Sequence, residues 1–359
     1  MKKKLIVILL CVMMISSLLT ACGSKETGGK GDKKTVGVCM PTKDLQRWNQ
    51  DGANMKKELE DAGYVVDLQY ANNEIAQQVN QIENMITSGV DVLVIASIDG
   101  GSLGTVLVDA KKSNIPVIAY DRLIMETDAV SYYATFDNYM VGTFQGEYIE
   151  EALDLKNQDG PFNIELFTGS PDDNNARYFF GGAMDVLNPY IDSGKLVVVS
   201  GQKEFEEVAT LNWSTEAAQS RMENLITAYY ANGTKLDAVL SSNDSCAIGI
   251  TNALVNAGFN KDNFPVLTGQ DCDITATKNI IAGLQSMSIF KDTRTLATKV
   301  VEMVDAIMRD EEVPVNDKKT YDNGTGVIPT FLCEPVFADI NNYEELLIES
   351  GYYTEDQLK

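Results

Sequence analysis

Short apolar runs alternate with longer stretches in which apolar residues recur every three or four positions, from residue 35 onward. The first run, residues 34–41, is predicted to be a strand. Residues 46–62 are predicted to be a helix, because Trp48, Met55 and Leu59 recur at helical spacing. Strands that alternate with helices in this way are typical of parallel βαβ units, so we expect an α/β fold.

The alternation restarts after about residue 140, which predicts two successive α/β halves of similar size. Further strands are predicted at 64–71, 90–97, 115–121, 162–169, 195–202, 236–243 and 264–271. Further helices are predicted at 75–89, 103–114, 174–189, 215–231, 246–258 and 273–283. Two extended connections are expected at 285–292 and 325–338, with a helix at 293–309 between them.

Polar side chains follow the apolar runs in both halves. In open α/β sheets, ligands bind beyond the carboxyl ends of the strands, so the residues that follow each predicted strand are candidate ligand contacts. These candidates are Arg47, Trp48, Asp121, Arg122, the segment 170–175, Asn243, Asp244, Gln270, Asp271 and Lys291.

This mixture of carboxylate, amide and cationic groups suits a neutral polyol, because each sugar hydroxyl donates one hydrogen bond and accepts others. Hydrogen bonds to charged groups are the stronger kind. The chain has two tryptophans, Trp48 and Trp213, one in each half. Their flat rings are expected to sandwich the apolar face of a pyranose between the two halves.

Purely structural roles are open for several of these residues. Asp121 is a candidate turn cap, and Asn243 is a candidate N-cap for the helix that follows it. The segment 172–174 is a candidate cap for the next helix. Trp213 precedes Ser214 and is a candidate hydrophobic staple beside a capping box.

Composition excludes several classes of function. The chain has 359 residues, 44% of them hydrophobic and 23% charged, which indicates a globular protein of about two domains. Its 29 Lys and Arg against 52 Asp and Glu give a formal net charge of −23, a poor match for a nucleic acid backbone. The chain has no histidine, which excludes His-dependent triads and most zinc sites. We predict no cofactor and no metal site.

The N-terminus is typical of an exported protein. In residues 1–22, three lysines precede an apolar run from Leu5 to Leu19 and a small-residue cleavage site, as in a secretory signal. The run is too short for a comfortable membrane span, which needs roughly 20 apolar residues. Residues 23–34 are rich in glycine and lysine and are predicted to be a flexible tether.

Four cysteines follow Cys22, namely Cys39, Cys246, Cys272 and Cys333. An exported chain can pair them, and four cysteines allow three connectivities. Four small buried thiols are the simpler interpretation, since a chain of this length needs no disulfide to be stable.

Several motifs, taken in order, resemble those of type I periplasmic sugar-binding proteins, most closely the xylose-binding and multiple-sugar-binding subgroup. They run through essentially the whole mature chain. They are LQRWNQDG (45–52), VIAYDRLI (117–124), GSPDDNNA (169–176), SNDSCAIG (242–249), GQDCD (269–273) and FKDT (290–293). The end of the signal, LTAC (19–22), resembles the lipobox of bacterial lipoproteins, which implies cleavage before Cys22 and lipidation of its sulfur.

The resemblance implies two Rossmann-like parallel-sheet lobes joined by a three-segment hinge, which is the type I periplasmic binding protein fold. We place the crossovers near 138–142, 285–291 and 325–333. The N-terminal lobe is then 35–138 plus 291–325, and the C-terminal lobe is 139–290 plus 326–359.

The resemblance also implies a set of sugar contacts and a function. The contacts are Arg47, Trp48, Asp121, Arg122, Asp173, Asn175, Trp213, Asn243, Asp271 and Lys291. We expect a monomeric lipoprotein on the outer face of the cytoplasmic membrane. It would capture an aldopyranose of the xylose, arabinose, glucose or galactose type by lobe closure and deliver it to the permease of an ABC importer.

Two other functions stay open at this point. One is a sensory receptor that reports sugar to a chemoreceptor or a sensor kinase. The other is a sugar hydrolase or isomerase that uses paired carboxylates such as Asp172 and Asp173. Because the family offers no catalysis, we expect a binding protein and not an enzyme.

Overall fold

The computed structural model describes residues 33–359. The signal at 1–22, the lipidation candidate Cys22 and the tether up to residue 32 lie outside the described residues. Within 33–359, no helix combines the length and the apolar character that a bilayer span requires.

The first lobe is built on a six-stranded parallel sheet in the order β11-β5-β4-β3-β1-β2. Its central strands are buried throughout, as expected for parallel strands that are covered on both faces. The strands are β1 Thr35–Met40, β2 Val65–Tyr70, β3 Val92–Ile95, β4 Val117–Tyr120, β5 Tyr132–Phe136 and β11 Thr330–Cys333.

Four helices cover this sheet, two on each face. Helices α1 (Gln46–Asp61) and α10 (Thr293–Met308) pack on the face that receives Val92 and Val94 of β3. Helices α2 (Ile75–Ser88) and α3 (Gly104–Lys112) pack on the face that receives Leu93 and Ile95. Alternate residues of a strand point to opposite faces, so one apolar run supplies both cores.

The second lobe contains a four-stranded parallel sheet in the order β7-β6-β8-β9. Its strands are β6 Phe162–Phe167, β7 Leu196–Val198, β8 Ala238–Ser241 and β9 Val266–Leu267. Its helices are α4 Asn138–Ala152, α5 Asn174–Asp192, α6 Phe205–Val208, α7 Thr215–Leu225, α8 Asp244–Asn256 and α9 Ile274–Ala282. A π-helical turn, Ile226–Tyr230, continues α7.

The C-terminal part of the chain completes this lobe. Strands β10 (Met287–Phe290) and β12 (Val336–Asp339) pair antiparallel, and a bridge between Gln270 and Ile289 connects β10 to the segment after β9. A π-helical turn at Glu344–Glu349 and the short helix α11 (Glu355–Leu358) follow.

Residues 132–152 form β5 and α4, which the sequence pattern did not indicate. Helix α4 has no clear apolar stripe, because it meets α5 through glycines. A Cβ atom on Gly142 would lie 1.9 Å from the carbonyl oxygen of Phe179, and one on Gly146 would lie 2.9 Å from that of Ala183. Close backbone contact therefore replaces the large apolar side chains on which periodicity depends.

Residues 325–338 divide between the lobes, whereas the sequence predicted one extended connection. Strand β11 pairs in parallel with β5 of the first sheet, and β12 pairs with β10. Pro335 separates the two strands, because proline has no N–H to donate to a sheet. The lobe boundary that we expected after residue 325 therefore lies between Cys333 and Val336.

The four cysteines of the described chain are free and buried. The interpretation of Cys39, Cys246, Cys272 and Cys333 as small buried thiols is confirmed, and no disulfide links them.

Candidate binding site between the two lobes

A cavity lies where the carboxyl ends of the two sheets face each other. The space that protein atoms leave unfilled around it is about 420 Å³, a volume that includes open solvent at its mouth. All ten sequence-predicted contacts line it: Arg47, Trp48, Asp121, Arg122, Asp173, Asn175, Trp213, Asn243, Asp271 and Lys291. The remaining lining residues are Leu45, Phe179, Ser245, Gln270 and Asp273.

The parallel sheets explain why residues so distant in sequence meet here. Asp121 directly follows β4, Asp271 follows β9 and Lys291 follows β10. Arg47 is in the first turn of α1, and Asn175 is in the first turn of α5. Ends of parallel strands and starts of the following helices share one edge of a sheet, so each lobe contributes one wall.

Arg47 connects the two walls. Its Nη2 donates to Oδ2 of Asp121 at 2.7 Å in the first lobe, and its Nη1 donates to Oδ1 of Asp271 at 2.8 Å in the second lobe. Its Nε bonds Asp51. Burial by itself lowers the pKa of Arg47, but these carboxylates outweigh that effect and hold the pKa well above its usual range.

Asp121 is fixed at both its side chain and its backbone. Burial acts to raise the pKa of its carboxyl, but Arg47, Lys291 and Arg122 hold the pKa below its usual value. The carboxyl is therefore an acceptor at neutral pH. Its backbone carbonyl accepts hydrogen bonds from Nδ2 of Asn175 at 2.6 Å and from Oη of Tyr133 at 2.6 Å.

Arg122 makes a second ion pair between the lobes. Its Nε lies 3.0 Å from Oδ2 of Asp173, although the angle is not that of a hydrogen bond. Its Nη1 donates to the carbonyl oxygens of Ser97 and Ile98, and its guanidinium lies 5.0 Å from the ring centroid of Trp48. These contacts hold the guanidinium against the indole, as in a cation–π pair.

Lys291 adds a third buried cation. Its Nζ lies 3.2 Å from Oδ1 of Asp271 and 3.8 Å from Oδ2 of Asp121. It also lies 5.6 Å from the ring centroid of Phe179. Three cations and the carboxylates of both lobes thus form one buried network of charged donors and charged acceptors.

The two tryptophans lie on the cavity wall and are almost fully buried. A Cβ atom at Gly169 would lie 1.9 Å from Cη2 of Trp213, so the indole occupies space that only glycine leaves free. Phe179 packs edge-on against Trp213, with ring centroids 6.2 Å apart. The stacking of a sugar between Trp48 and Trp213 stays a prediction.

Four buried polar atoms of the lining have no hydrogen-bond partner within the described chain. They are Nε of Arg122, Nε1 of Trp213, Oε1 of Gln270 and Oδ1 of Asp273. Buried polar atoms are nearly always paired, so this concentration around one cavity requires an explanation. The set comprises two donors and two acceptors, which a ligand rich in hydroxyl groups can satisfy.

Two of the capping roles that the sequence left open, those of Asn243 and of the segment 172–174, are confirmed. Oδ1 of Asn243 accepts the N–H of Cys246 at 3.0 Å, and Oδ1 of Asp173 accepts the N–H of Asn175 at 3.0 Å. Both side chains still line the cavity. Capping and lining are therefore compatible, because the cap holds each side chain at the mouth of its helix.

Asp273 and Phe179 were not predicted, and Gln270 was a candidate from its place after a strand but was not in the set that the resemblance implied. Gln270 and Asp273 flank Asp271 within one short motif, and Phe179 is one helical turn after Asn175 on the same face of α5. These positions relative to Asp271 and Asn175 could have identified the three residues as part of the cavity wall. Burial, together with the charge of Asp271, raises the pKa of Asp273 to about 7.

Comparison with known proteins gives a consistent result. A family model described as a periplasmic binding protein domain matches residues 36–312. The multiple sugar-binding periplasmic receptor ChvE of Rhizobium radiobacter is 54% identical over 330 residues, which cover 91% of this chain and 93% of the receptor. The D-xylose-binding periplasmic protein of Escherichia coli K12 is 37% identical over 344 residues, covering 95% and 98%.

A solved structure is similar as well. It is that of an ABC transporter solute binding protein from Clostridium phytofermentans with bound beta-D-glucose. It superposes with a TM-score of 0.89 at 69% sequence identity and covers 91% of this chain and 100% of that one.

Proposed function

Because the chain belongs to the periplasmic binding protein family, we propose that it captures a single aldopyranose between its lobes and delivers it to the permease of an ABC importer. The chain is a sugar-binding protein of the ABC-transporter type and not an enzyme. It is exported, as periplasmic binding proteins are. The identity of the sugar, the residues that contact it and the lipid anchor belong to the proposal.

The observation that carries the proposal is the set of buried polar atoms around the cavity that make no hydrogen bond within the described chain. Arg122 belongs to the first lobe, whereas Trp213, Gln270 and Asp273 belong to the second. A sugar that satisfies atoms of both lobes gains its full contacts only in the closed arrangement. Such a ligand stabilises closure through its differential contacts with the open and closed states.

The charged residues of the cavity divide the recognition between them. Asp121 and Asp271 accept hydrogen bonds from sugar hydroxyls, while Arg47 and Lys291 donate to sugar oxygens. Asn243 and the remaining predicted contacts, Arg122, Asp173 and Asn175, complete the polar shell. Trp48 and Trp213 cover the apolar faces of the ring.

We propose an aldopyranose of the glucose or xylose type as the ligand, with arabinose and galactose as further candidates. The Clostridium phytofermentans protein contains beta-D-glucose, and the Escherichia coli relative is a D-xylose-binding protein. Two relatives are multiple sugar-binding proteins, which favours recognition of a shared ring over recognition of one exocyclic group.

A thermal-shift panel tests this function. D-glucose, D-xylose, L-arabinose and D-galactose are each added to the mature protein, with sorbitol as an open-chain control. A ligand that binds only the folded state raises the melting temperature, so at least one aldose is expected to raise it while sorbitol does not. A melting temperature that no aldose changes contradicts the proposal.

We propose that the protein is held at the membrane as a monomer by a lipid on the sulfur of Cys22. The LTAC sequence at 19–22 and the glycine- and lysine-rich residues that follow support this. Fractionation of cells that express the wild type and Cys22→Ser tests the anchor. The wild type is expected with the membranes, and an equal distribution of the two proteins contradicts the anchor.

A further inference from the structure

Tyr353 joins the two walls of the site from outside the cavity. It lies near the C-terminus, is 3% exposed and does not line the cavity. It packs in a cluster of the second lobe with Cys272, Phe290, Leu347 and Leu358. Its ring therefore belongs to the second lobe, and any bond that it makes to α1 crosses between the lobes.

The hydroxyl of Tyr353 uses its full hydrogen-bonding capacity. It accepts from Nε2 of Gln46 at 2.7 Å and from Nε2 of Gln50 at 3.0 Å, and it donates to the carbonyl oxygen of Cys272 at 2.9 Å. A hydroxyl has one proton to donate and two lone pairs, so nothing is left over. We call these three hydrogen bonds the Tyr353 bridge.

Both ends of the Tyr353 bridge adjoin the ion pair that connects the lobes. Gln46 immediately precedes Arg47, and Cys272 immediately follows Asp271. Gln46 adds a further bond between the lobes, because its Oε1 accepts the N–H of Ile274 at 3.1 Å. The bridge is thus placed to control how closely Arg47 and Asp271 approach.

The loop that presents Asp271 depends on its surroundings for its conformation. Asp271 has φ of 97° and Cys272 has φ of 51°, values that side chains other than glycine adopt rarely. Such conformations persist only where neighbouring groups enforce them. The N–H of Cys272 donates to Oγ of Ser288 at 3.0 Å, and its carbonyl is the acceptor for Tyr353.

We propose that Tyr353 is a positioning residue for sugar binding, which holds the lobes closed and the Asp271 loop in place without touching the sugar. This inference rests on the proposed function, because it assumes that closure traps the ligand. Since the bridge makes no contact with the sugar, its loss is expected to weaken all bound sugars by the same factor. The effect appears mainly as faster dissociation, because the bridge holds the closed state.

The test compares Tyr353→Phe with Tyr343→Phe, whose hydroxyl bonds only the adjacent Glu344. Calorimetry gives the affinity for D-glucose and D-xylose, and stopped-flow tryptophan fluorescence gives the dissociation rate. We expect Tyr353→Phe to weaken both affinities roughly three- to thirtyfold, since all three bonds are lost and the two to Gln46 and Gln50 are the ones that cross between the lobes. Tyr343→Phe is expected to match the wild type. Equal dissociation rates in all three proteins overturn the proposal.

A double-mutant cycle with Gln46→Ala separates positioning from general destabilisation. Both changes remove the same bond, so their combined effect on affinity is expected to be smaller than the product of the single effects. A fold-destabilising change lowers the melting temperature without changing the dissociation rate of the folded molecules. If the combined effect on affinity equals the product of the single effects, the two residues do not act through a shared bond. If the ratio of the glucose affinity to the xylose affinity differs from that of the wild type, Tyr353 does not act from outside the sugar site. Either result contradicts the proposal.

If the proposed function is wrong, the wild-type protein binds no aldose, which is a different outcome from a failure of the Tyr353 proposal. In that case the Tyr353 proposal is tested by small-angle X-ray scattering of the ligand-free proteins. Tyr353→Phe is then expected to have a larger radius of gyration than the wild type, and equal radii overturn the proposal.

Discussion

Arg47 and Asp271 belong to different lobes and are 224 positions apart in sequence, yet Nη1 of one lies 2.8 Å from Oδ1 of the other. Both side chains are almost completely buried. The same guanidinium bonds Asp121 in the first lobe. The two halves of the molecule therefore share one charged network that lines the cavity.

Asp121→Asn is expected to weaken aldose binding at least tenfold. Asparagine keeps the size of the side chain and tolerates the φ of 57° at this position, but it removes the negative charge that Arg47 and Lys291 share. Loss of a charged partner in a buried network costs about 1.5–3 kcal/mol, and about 1.4 kcal/mol is one decade of affinity. Calorimetry on the variant measures the loss.

Asp128→Asn is the matched control for this change, because Asp128 is exposed and pairs only with Lys111 at the surface. It is expected to bind as the wild type does. If Asp121→Asn also keeps the wild-type affinity, Asp121 does not contact the sugar.

Gly169→Ala is expected to weaken binding about tenfold or more and to change tryptophan fluorescence. The new methyl group would lie 1.9 Å from Cη2 of Trp213, so the indole has to leave its position on the cavity wall. Fluorescence emission and calorimetry measure the two effects. Gly101→Ala is the control, because its nearest neighbour would lie 3.5 Å away, an ordinary contact. Normal binding by Gly169→Ala excludes a role for the Trp213 ring.

Most of the fold, and most of the polar residues that line the site, could be predicted from the sequence. Strand β3 was recognisable as a continuous apolar run, and polar residues after β4 and β9 marked the carboxyl edge of each sheet. Helix α4 was not recognisable, because Gly142 and Gly146 meet α5 through backbone contact, which no hydrophobic period records.

Asp273 shows a different limit of sequence reasoning. Its importance lies in an oxygen without a partner and in a raised pKa, and both depend on which groups surround it in the folded protein. The position of the last crossover between the lobes could not be predicted from the sequence either. It depends on strand pairing, because only the register of β11 with β5 assigns residues 330–333 to the first sheet.

The pKa of Asp273 predicts a stability difference that depends on pH. Burial and the charge of Asp271 raise the pKa to about 7 in the folded state, against about 3.9 in an unfolded chain. Between those values the folded state holds a proton that the unfolded state releases, so the contribution of this carboxyl to stability falls as pH rises from 4 to 7. Asp273→Asn removes that dependence.

Urea unfolding of the wild type and Asp273→Asn between pH 4.5 and pH 8 checks this. The variant is expected to gain stability relative to the wild type as pH rises, by roughly 1–4 kcal/mol in total, and the difference is expected to level off above pH 7. Asp262→Asn, at an exposed position, is expected to show no such trend. Unfolding curves of Asp273→Asn that parallel the wild type at every pH contradict the assignment.

The central claim is that one sugar ring lies between the lobes and contacts both of them. A crystal structure of the mature protein with the aldose that raises its melting temperature most tests this directly. The account predicts a single ring within hydrogen-bond distance of both Asp121 and Asp271, with Trp48 and Trp213 against its faces. A sugar that contacts only one lobe, or that binds outside the cavity, contradicts it.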